Sequence, residues 1–556
     1  MTTLNTLEID REISTMRLAS KELISLTNLE LAELFQQCIT QVPTFADHWV
    51  DLEAKHKKID TTTPAMGEQW AGGPWITVWG FQYIIKTLND LPNIDLNFNK
   101  KYNKKRHTLE VFPTKFIENL LYMGVKGYIK LRNNMSIEDL KKYRGFESRI
   151  NTKTPTTTLV LGAGNQSCIP ILDFAYHITT RRSPVVLKLN PVNEYLKPIF
   201  DNVLAPFINK KFLTVVVGDA ELGKYLTKHH GISHIHLTGA NNTYENIVYG
   251  KKLSDKEIGS KSLRKTNNKS ISTELGNVTP VIIVPDKWSK SDIRVQAKKV
   301  ATAKLQNAGF NCIAAQVVVL DKNWKQKDEF VKEVKKTISQ QKTRHFYYPG
   351  SKERITEINN SNDVDILSQD TCEVPYSSSV TDSDDEYYFH NEIWGGSIIF
   401  KNLESISTTD FMEKATDFCN NNLWGNLGCT VLIKPKTEKK YLDEFELMID
   451  SLQYGTVAIN EWCALGFAIP SLPWGGYPGN IDSDIQSGQG YVHNTFLFES
   501  PLNGIVRTQF KPLLNIDPPW FITHNNSHKV LRNLTFYLCT KSKLNLIKTF
   551  FYAVIS

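Results

Sequence analysis

The sequence predicts an α/β protein in which parallel strands are covered by helices and shared between two domains. Three observations predict it. Short apolar runs recur from residue 158 onward. Segments of roughly 20 residues, each long enough for a helix, separate the early runs. Glycine-containing turns stand where several of those runs end, as at Gly162-Ala-Gly164 and Thr238-Gly239-Ala240.

The elements follow in chain order. Residues 11–60 carry a helical apolar rhythm, with Leu29, Leu31, Leu34 and Phe35 expected on one face. The stretch from Leu91 to His107 is rich in Asn and Lys and reads as loop. A different texture begins near Thr156. Its strand-like runs are Thr158–Leu161, Val185–Leu189, Leu213–Val217 and His234–Leu237, then Val281–Val284, Gln316–Leu320, Ser397–Phe400, Cys429–Ile433 and Thr456–Ile459. Asn359–Asp363 and Ser377–Glu386 are polar and read as an exposed insert. From Leu534 to Ser556 apolar and basic residues mix. That pattern fits an amphipathic packing or interface element, with a membrane-surface role as the alternative. The expected division is an N-terminal helical region at 1–60, a cofactor-binding domain at 61–275, a catalytic domain at 276–470 and a C-terminal return or oligomerisation segment at 471–556.

Composition narrows the function classes. With 556 residues the chain can build several cores. Its 41% hydrophobic and 22% charged content is that of a globular protein, not a disordered one. No apolar run reaches the ~18 residues of a transmembrane helix, so an integral membrane protein is not expected. The N-terminus lacks a basic-then-apolar leader, and Glu8 and Asp10 disfavour a transit peptide, so a cytoplasmic location is expected. Eight cysteines are scattered without a CxxC pair or a Cys/His cluster at zinc spacing, which argues against a disulfide scaffold and a metal site. The formal charge of +7 is concentrated partly in Lys100–Arg106 and Lys261–Lys265. Without interleaved aromatic residues, those runs read as solvated loops and not as a nucleic-acid site.

Cys312 is the residue that points to chemistry. It ends Asn307-Ala-Gly-Phe-Asn-Cys312, a small flexible turn just ahead of an apolar strand. Glu274 stands in Thr273-Glu274-Leu275-Gly276-Asn277, again before an apolar run. A thiol must lose its proton to attack a carbonyl, and a neighbouring base can take it. The oxyanion formed then needs donors, and a separate carboxylate can activate water to release the acyl group. Cys312, Glu274 and Asn165 suit those roles by residue type. On type alone, a structural cysteine, a surface glutamate and a turn asparagine fit as well. Lys188, late in the run Val185–Leu189, points to the carboxyl edge of a sheet where ligands bind, or else simply reaches water. Trp462 and Trp474 fit an apolar tunnel or ordinary core.

Five segments in order resemble the aldehyde dehydrogenase superfamily over roughly residues 150–490. Glu274-Leu-Gly-Asn277 with Pro280 resembles its ELGG-x-x-P motif, and Asn307–Cys312 its N-x-G-x-x-C motif. Glu392-Ile-Trp394-Gly395 resembles E-[IV]-F-G. Leu423–Leu427 resembles the later Y-G-L segment, and Asn460 with Pro473–Gly476 resembles N…P-F-G-G. The resemblance implies a modified Rossmann cofactor-binding domain, a catalytic α/β domain and a homo-oligomer. It implies Cys312 as nucleophile, Glu274 as base and Asn165 as oxyanion donor. It also implies Lys188, Gly239, Glu392 and Trp394 as contacts to NAD or NADP, with a small aldehyde as substrate. The chain departs from the family pattern where Pro191 replaces a ribose-binding glutamate, Tyr244 replaces the second phosphate-loop glycine and Gly396 replaces a proline. The implied activity is oxidation of an aldehyde to a carboxylic acid. The alternatives are a CoA-acylating relative that passes its thioester to a thiol, or a non-catalytic protein on the same fold.

Overall fold

The computed structural model describes residues 6–90, 101–132, 156–361, 363–367, 376–499, 501–512 and 516–555. Cys372, and residues 91–100 of the expected loop, lie outside the described residues. Thr27 caps the long Asn28–His56 helix: its hydroxyl accepts from Glu30 N, and Glu30 returns a bond to Thr27 N at 2.8 Å. Leu31, Leu34, Phe35, Cys38, Ile39 and Val42 are spaced by three and four and all are buried. Leu29 does not join them. Two positions before Leu31 is the far side of a helix, and Leu29 is 65% exposed.

The nine strand-like runs all form strands, arranged in two sheets among the described residues. One sheet has the order Leu213–Val216, Val185–Lys188, Thr158–Leu161, His234–Gly239, Ser270–Leu275, all parallel. Its order reverses at Thr158–Leu161, the kind of switch point that opens a ligand crevice at the carboxyl edge. The other sheet runs Tyr102–Asn103, Thr108–Phe112, Lys126–Lys130, Asn503–Arg507, Thr456–Ile459, Gly428–Leu432, Thr279–Ile283, Ala315–Asp321, Gly396–Leu403, Ser377–Thr381, Val364–Ile366. Its central strands are parallel and its two ends antiparallel.

Two expectations are revised by this topology. The strands between residues 102 and 130 pair with each other and with Asn503–Arg507, so they join the larger sheet. The smaller sheet therefore uses only Thr158–Leu275 of the 61–275 segment. Ser377–Thr381 is a buried strand, not part of an exposed insert. Its serines are small, and Ser378 pairs its hydroxyl across strands with Ser397 at 2.6 Å, so polar composition did not keep it at the surface.

Candidate active site

The site lies where the two sheets meet. Glu274 is near the carboxyl end of Ser270–Leu275, a strand held on both sides. One side is the His234–Gly239 strand; on the other, Thr273 N and Leu275 N donate to the carbonyls of Gln489 and Ser487. Cys312 follows a tight turn at Gln306–Gly309 in which Asn307 and Ala308 take left-handed conformations. That strained geometry is held by many bonds. Asn307 Nδ2 donates to the carbonyls of Asn165 and Phe310 at 3.0 and 3.1 Å, its N–H donates to Glu68 Oε2 at 3.0 Å, and the Tyr376 hydroxyl donates to Ala308 O. Gly309 has φ +76°, and a side chain there would meet the Gly395 carbonyl at 2.5 Å. The turn before Cys312 thus rests directly on the Glu392–Gly395 turn.

The thiol of Cys312 points its Sγ to Glu274 Oε1 at 3.7 Å. Asn165 is on the same ground: its Nδ2 donates to Phe310 O at 3.0 Å, two residues before the cysteine, which leaves its second N–H for another acceptor. All three residues line one cavity of about 360 Å³ whose walls are largely apolar. Trp462 and Trp474 line it too, Trp462 anchored by its indole N–H on Ile313 O at 2.8 Å. The C-terminal helices Ser527–Thr540 and Lys543–Val554 complete the wall through Val530, Leu534, Phe550 and Val554.

Burial sets the electrostatics. It raises the Glu274 carboxyl to about 8, with the charge of Asp173 adding to the rise. The indole of Trp474 makes no well-formed hydrogen bond, yet it sits where it favours the charged carboxylate. Burial first, then Glu274 and Glu392, push the Cys312 thiol well above its ordinary range. The thiol is therefore neutral at rest and needs a base at the moment of attack. Burial also raises Glu392 to about 7, against the favourable Asn277 N–H, which donates to its Oε1 at 3.0 Å.

The residues expected at the cofactor lie outside the cavity walls. Glu392 presses on Gly276, where any side chain would meet its carboxylate at 1.8 Å. Trp394, with φ +53° and a buried indole N–H lacking a partner, packs against Tyr348 and Phe310. Lys188 ends its strand at the carboxyl edge and donates to Leu189 O at 3.2 Å. Gly239 ends the strand on the other side of Thr158–Leu161 in the open, followed by a helix whose N-cap, Ala240, gives no side-chain hydrogen bond. An uncapped helix start at a sheet edge favours an anionic group. Tyr244 does not block it: the ring is buried beside Val248 and its hydroxyl donates to Asp482 Oδ1 at 3.4 Å. Lys188 and the helix start after Gly239 thus share one sheet edge, where an anionic group is favoured.

Two supporting arrangements were not read from the sequence. Lys57, in the N-terminal helical region, donates its Nζ to Glu53 Oε1, Gln69 Oε1, Asn165 O and Asn307 Oδ1 at 2.8–3.3 Å. One buried ammonium thus ties together the turns of Asn165 and Asn307. The second is a polar ladder beneath the Cys168–Arg181 helix. In register, His234 faces Ser270, His236 faces Ser272 and Thr238 faces Glu274. His234 Nε2 and His236 Nδ1 both bond Ser272 Oγ, at 3.0 and 2.9 Å. The Thr238 hydroxyl donates to Asp173 Oδ2 at 2.8 Å. The strand-like run His234–Leu237 has two faces: its histidines face this ladder while Ile235 and Leu237 face a separate apolar cluster.

Comparison with known proteins agrees with this construction. The profile of the aldehyde dehydrogenase family matches residues 195–352. A curated relative, the D-glyceraldehyde dehydrogenase (NADP(+)) of Picrophilus torridus, is 28% identical over 219 residues, 35% of this chain. That match spans 40% of the relative's own length. Among solved structures, aldehyde dehydrogenase 21 from Physcomitrella patens, in complex with the reaction product succinate, superposes with a TM-score of 0.59 at 14% identity, covering 91% of this chain and 90% of that one. Succinic semialdehyde dehydrogenase from Streptococcus pyogenes, in complex with NADP+, gives 0.59 at 15% identity over 91% and 96%. PnpE from Pseudomonas sp. WBC-3 gives 0.61 at 15% over 91% of each chain. At such identity the structural likeness speaks for the fold, a Rossmann-like parallel sheet joined to a catalytic α/β domain. Family profile, curated relative and fold all point, with the ordered motifs, to a likeness with the aldehyde dehydrogenase superfamily.

Proposed function

We propose that this protein oxidises an aldehyde to a carboxylic acid with NAD or NADP as acceptor. The observation that carries the reading is the Cys312 Sγ–Glu274 Oε1 contact of 3.7 Å on a cavity that also holds Asn165. Glu274 takes the thiol proton as Cys312 Sγ bonds to the aldehyde carbon, giving a thiohemiacetal. The free N–H of Asn165 and the backbone N–H of Cys312 are the donors for the oxyanion, and each such donor is worth roughly 3 kcal/mol. The two-electron oxidation of that adduct to a thioester is the chemistry a nicotinamide dinucleotide supplies when bound. Lys188, Gly239, Glu392 and Trp394 would hold that group. Glu274 gives the thiol proton up to solvent and, again a carboxylate, removes a proton from water, which attacks the thioester carbon; that proton then passes to the leaving Cys312 thiolate.

A base beside the thioester favours hydrolysis over transfer to CoA, and the retained Cys–Glu contact favours an enzyme over a non-catalytic protein. The test is reduced-nicotinamide absorbance with a panel of aldehydes and both cofactors, with and without CoA, beside Cys312→Ala. Turnover in the wild type alone, independent of CoA, is the expected result. Equal turnover in Cys312→Ala refutes the mechanism, and a strict need for CoA replaces it.

A further inference from the structure

The last helix, Lys543–Val554, carries an apolar stripe that no other described residue of the chain covers. Leu544, Ile547, Phe551 and Val554 recur at helical spacing, and Ile547 and Phe551 are 65% and 56% exposed. Beside it the short Phe116–Leu121 helix presents Phe116 at 83% exposure, with Met123 just beyond its end also exposed. The two belong to one surface. Both contribute walls to the Cys312 cavity, and Lys115 lies within electrostatic reach of Lys541.

Charge says what kind of partner this surface takes. Lys115 flanks the first helix and Lys541, Lys543 and Lys548 flank or punctuate the second. From Pro518 to the last residue there is no Asp or Glu. A second copy of the chain is a poor occupant, because a two-fold contact would place these lysines against their own equivalents. An apolar stripe edged with lysine suits an interface that is greasy in the middle and negative at the rim, as an anionic bilayer is. We infer that this face docks on an anionic lipid surface, with Ile547, Phe551 and Phe116 inserted among the acyl chains and the lysines among the headgroups. The mouth of the cavity, bounded by the same two helices, then opens onto the membrane. Resting on the proposed function, the aldehydes it receives are apolar ones dissolved in the bilayer.

Flotation of the full-length protein with phosphatidylcholine vesicles, with or without phosphatidylserine, tests the docking without reference to activity. Binding is expected to the phosphatidylserine vesicles and to weaken with salt. The double variant Ile547→Glu with Phe551→Glu, neither residue lining the cavity, is expected to lower partitioning at least about tenfold with an unchanged unfolding transition. Lys543→Gln with Lys548→Gln is expected to lower it similarly. Absence of flotation overturns the inference. So does light scattering that shows a wild-type dimer split to monomers by the Glu pair, since the face is then a self-interface. A second arm compares hexadecanal in vesicles with propanal in solution. Propanal turnover with no gain for hexadecanal from phosphatidylserine refutes the docking orientation. Flotation without turnover of either aldehyde leaves the docking standing and removes the enzymatic reading.

Discussion

Replacing Glu274 by Gln isolates the carboxylate from its shape. The amide keeps the volume and the contact to Cys312 but cannot take a proton. Burial holds the wild-type carboxyl at about 8, so at pH 7 only about a tenth of the enzyme has the base ready. Turnover limited by thioester hydrolysis should rise roughly tenfold between pH 7 and a plateau above about pH 9. Glu274→Gln should lose about 10²- to 10⁴-fold in kcat and lose that acid limb with it. Linkage gives a second reading with a definite sign. The folded chain keeps a proton that an exposed carboxyl releases near the ordinary value of 4.5. Wild-type stability relative to the Gln variant is therefore full below about pH 4.5 and falls as pH rises through about 8, by on the order of a few kcal/mol. Stopped-flow absorbance across pH, paired with urea unfolding at pH 5 and about pH 9, measures both. A Gln variant that keeps wild-type kcat and its acid limb would falsify the assignment of Glu274 as base.

Four further outcomes are expected. Cys312→Ala should abolish turnover with its unfolding midpoint little changed, and in the wild type iodoacetamide should label Cys312 slowly at pH 7 because burial holds the thiol neutral. Glu392→Gln should raise KM for the dinucleotide more than KM for the aldehyde in initial-rate kinetics, since Glu392 lies outside the cavity. Gly309→Ala forces a methyl to 2.5 Å from the Gly395 carbonyl at φ +76°, and should cost about 1–3 kcal/mol in urea unfolding and lower kcat as well. Lys57→Met strips the cation from buried Glu53 and from two turns of the site, and should cost about 3–5 kcal/mol. Retained stability together with full activity in that variant would remove Lys57 from its positioning role.

The readable parts of this protein are those encoded by neighbours in sequence. Most central strands announce themselves as three or four consecutive apolar residues, because a strand covered on both faces has little polar side to show. Cys312 and Glu274 were legible through their flanking turns. Lys57 was not: its partners Asn165 and Asn307 lie 108 and 250 residues away, and a lysine at the end of an amphipathic helix carries no local mark of burial. Ser377–Thr381 was hidden because its residues are small and polar by type, while the contact that helps bury them, Ser378 to Ser397, lies across strands. Leu29 was misplaced by a spacing of two, too short to keep a helical face.

The polar ladder has a consequence for how the chain finds its pairing. A strand displaced by one residue turns every side chain to the opposite face. Such a slip of Ser270–Leu275 would aim Glu274 into the apolar cluster of Ile235 and Leu237 and set Ile271 and Leu275 against Asp173 and the histidines. The displaced register would leave several buried donors and acceptors unmatched, at about 1–3 kcal/mol each. His234, His236, Thr238, Ser270 and Ser272 therefore work as a key that admits one alignment of the strand. The direction of the carboxylate toward Cys312 is settled by that alignment, several residues before the cavity begins.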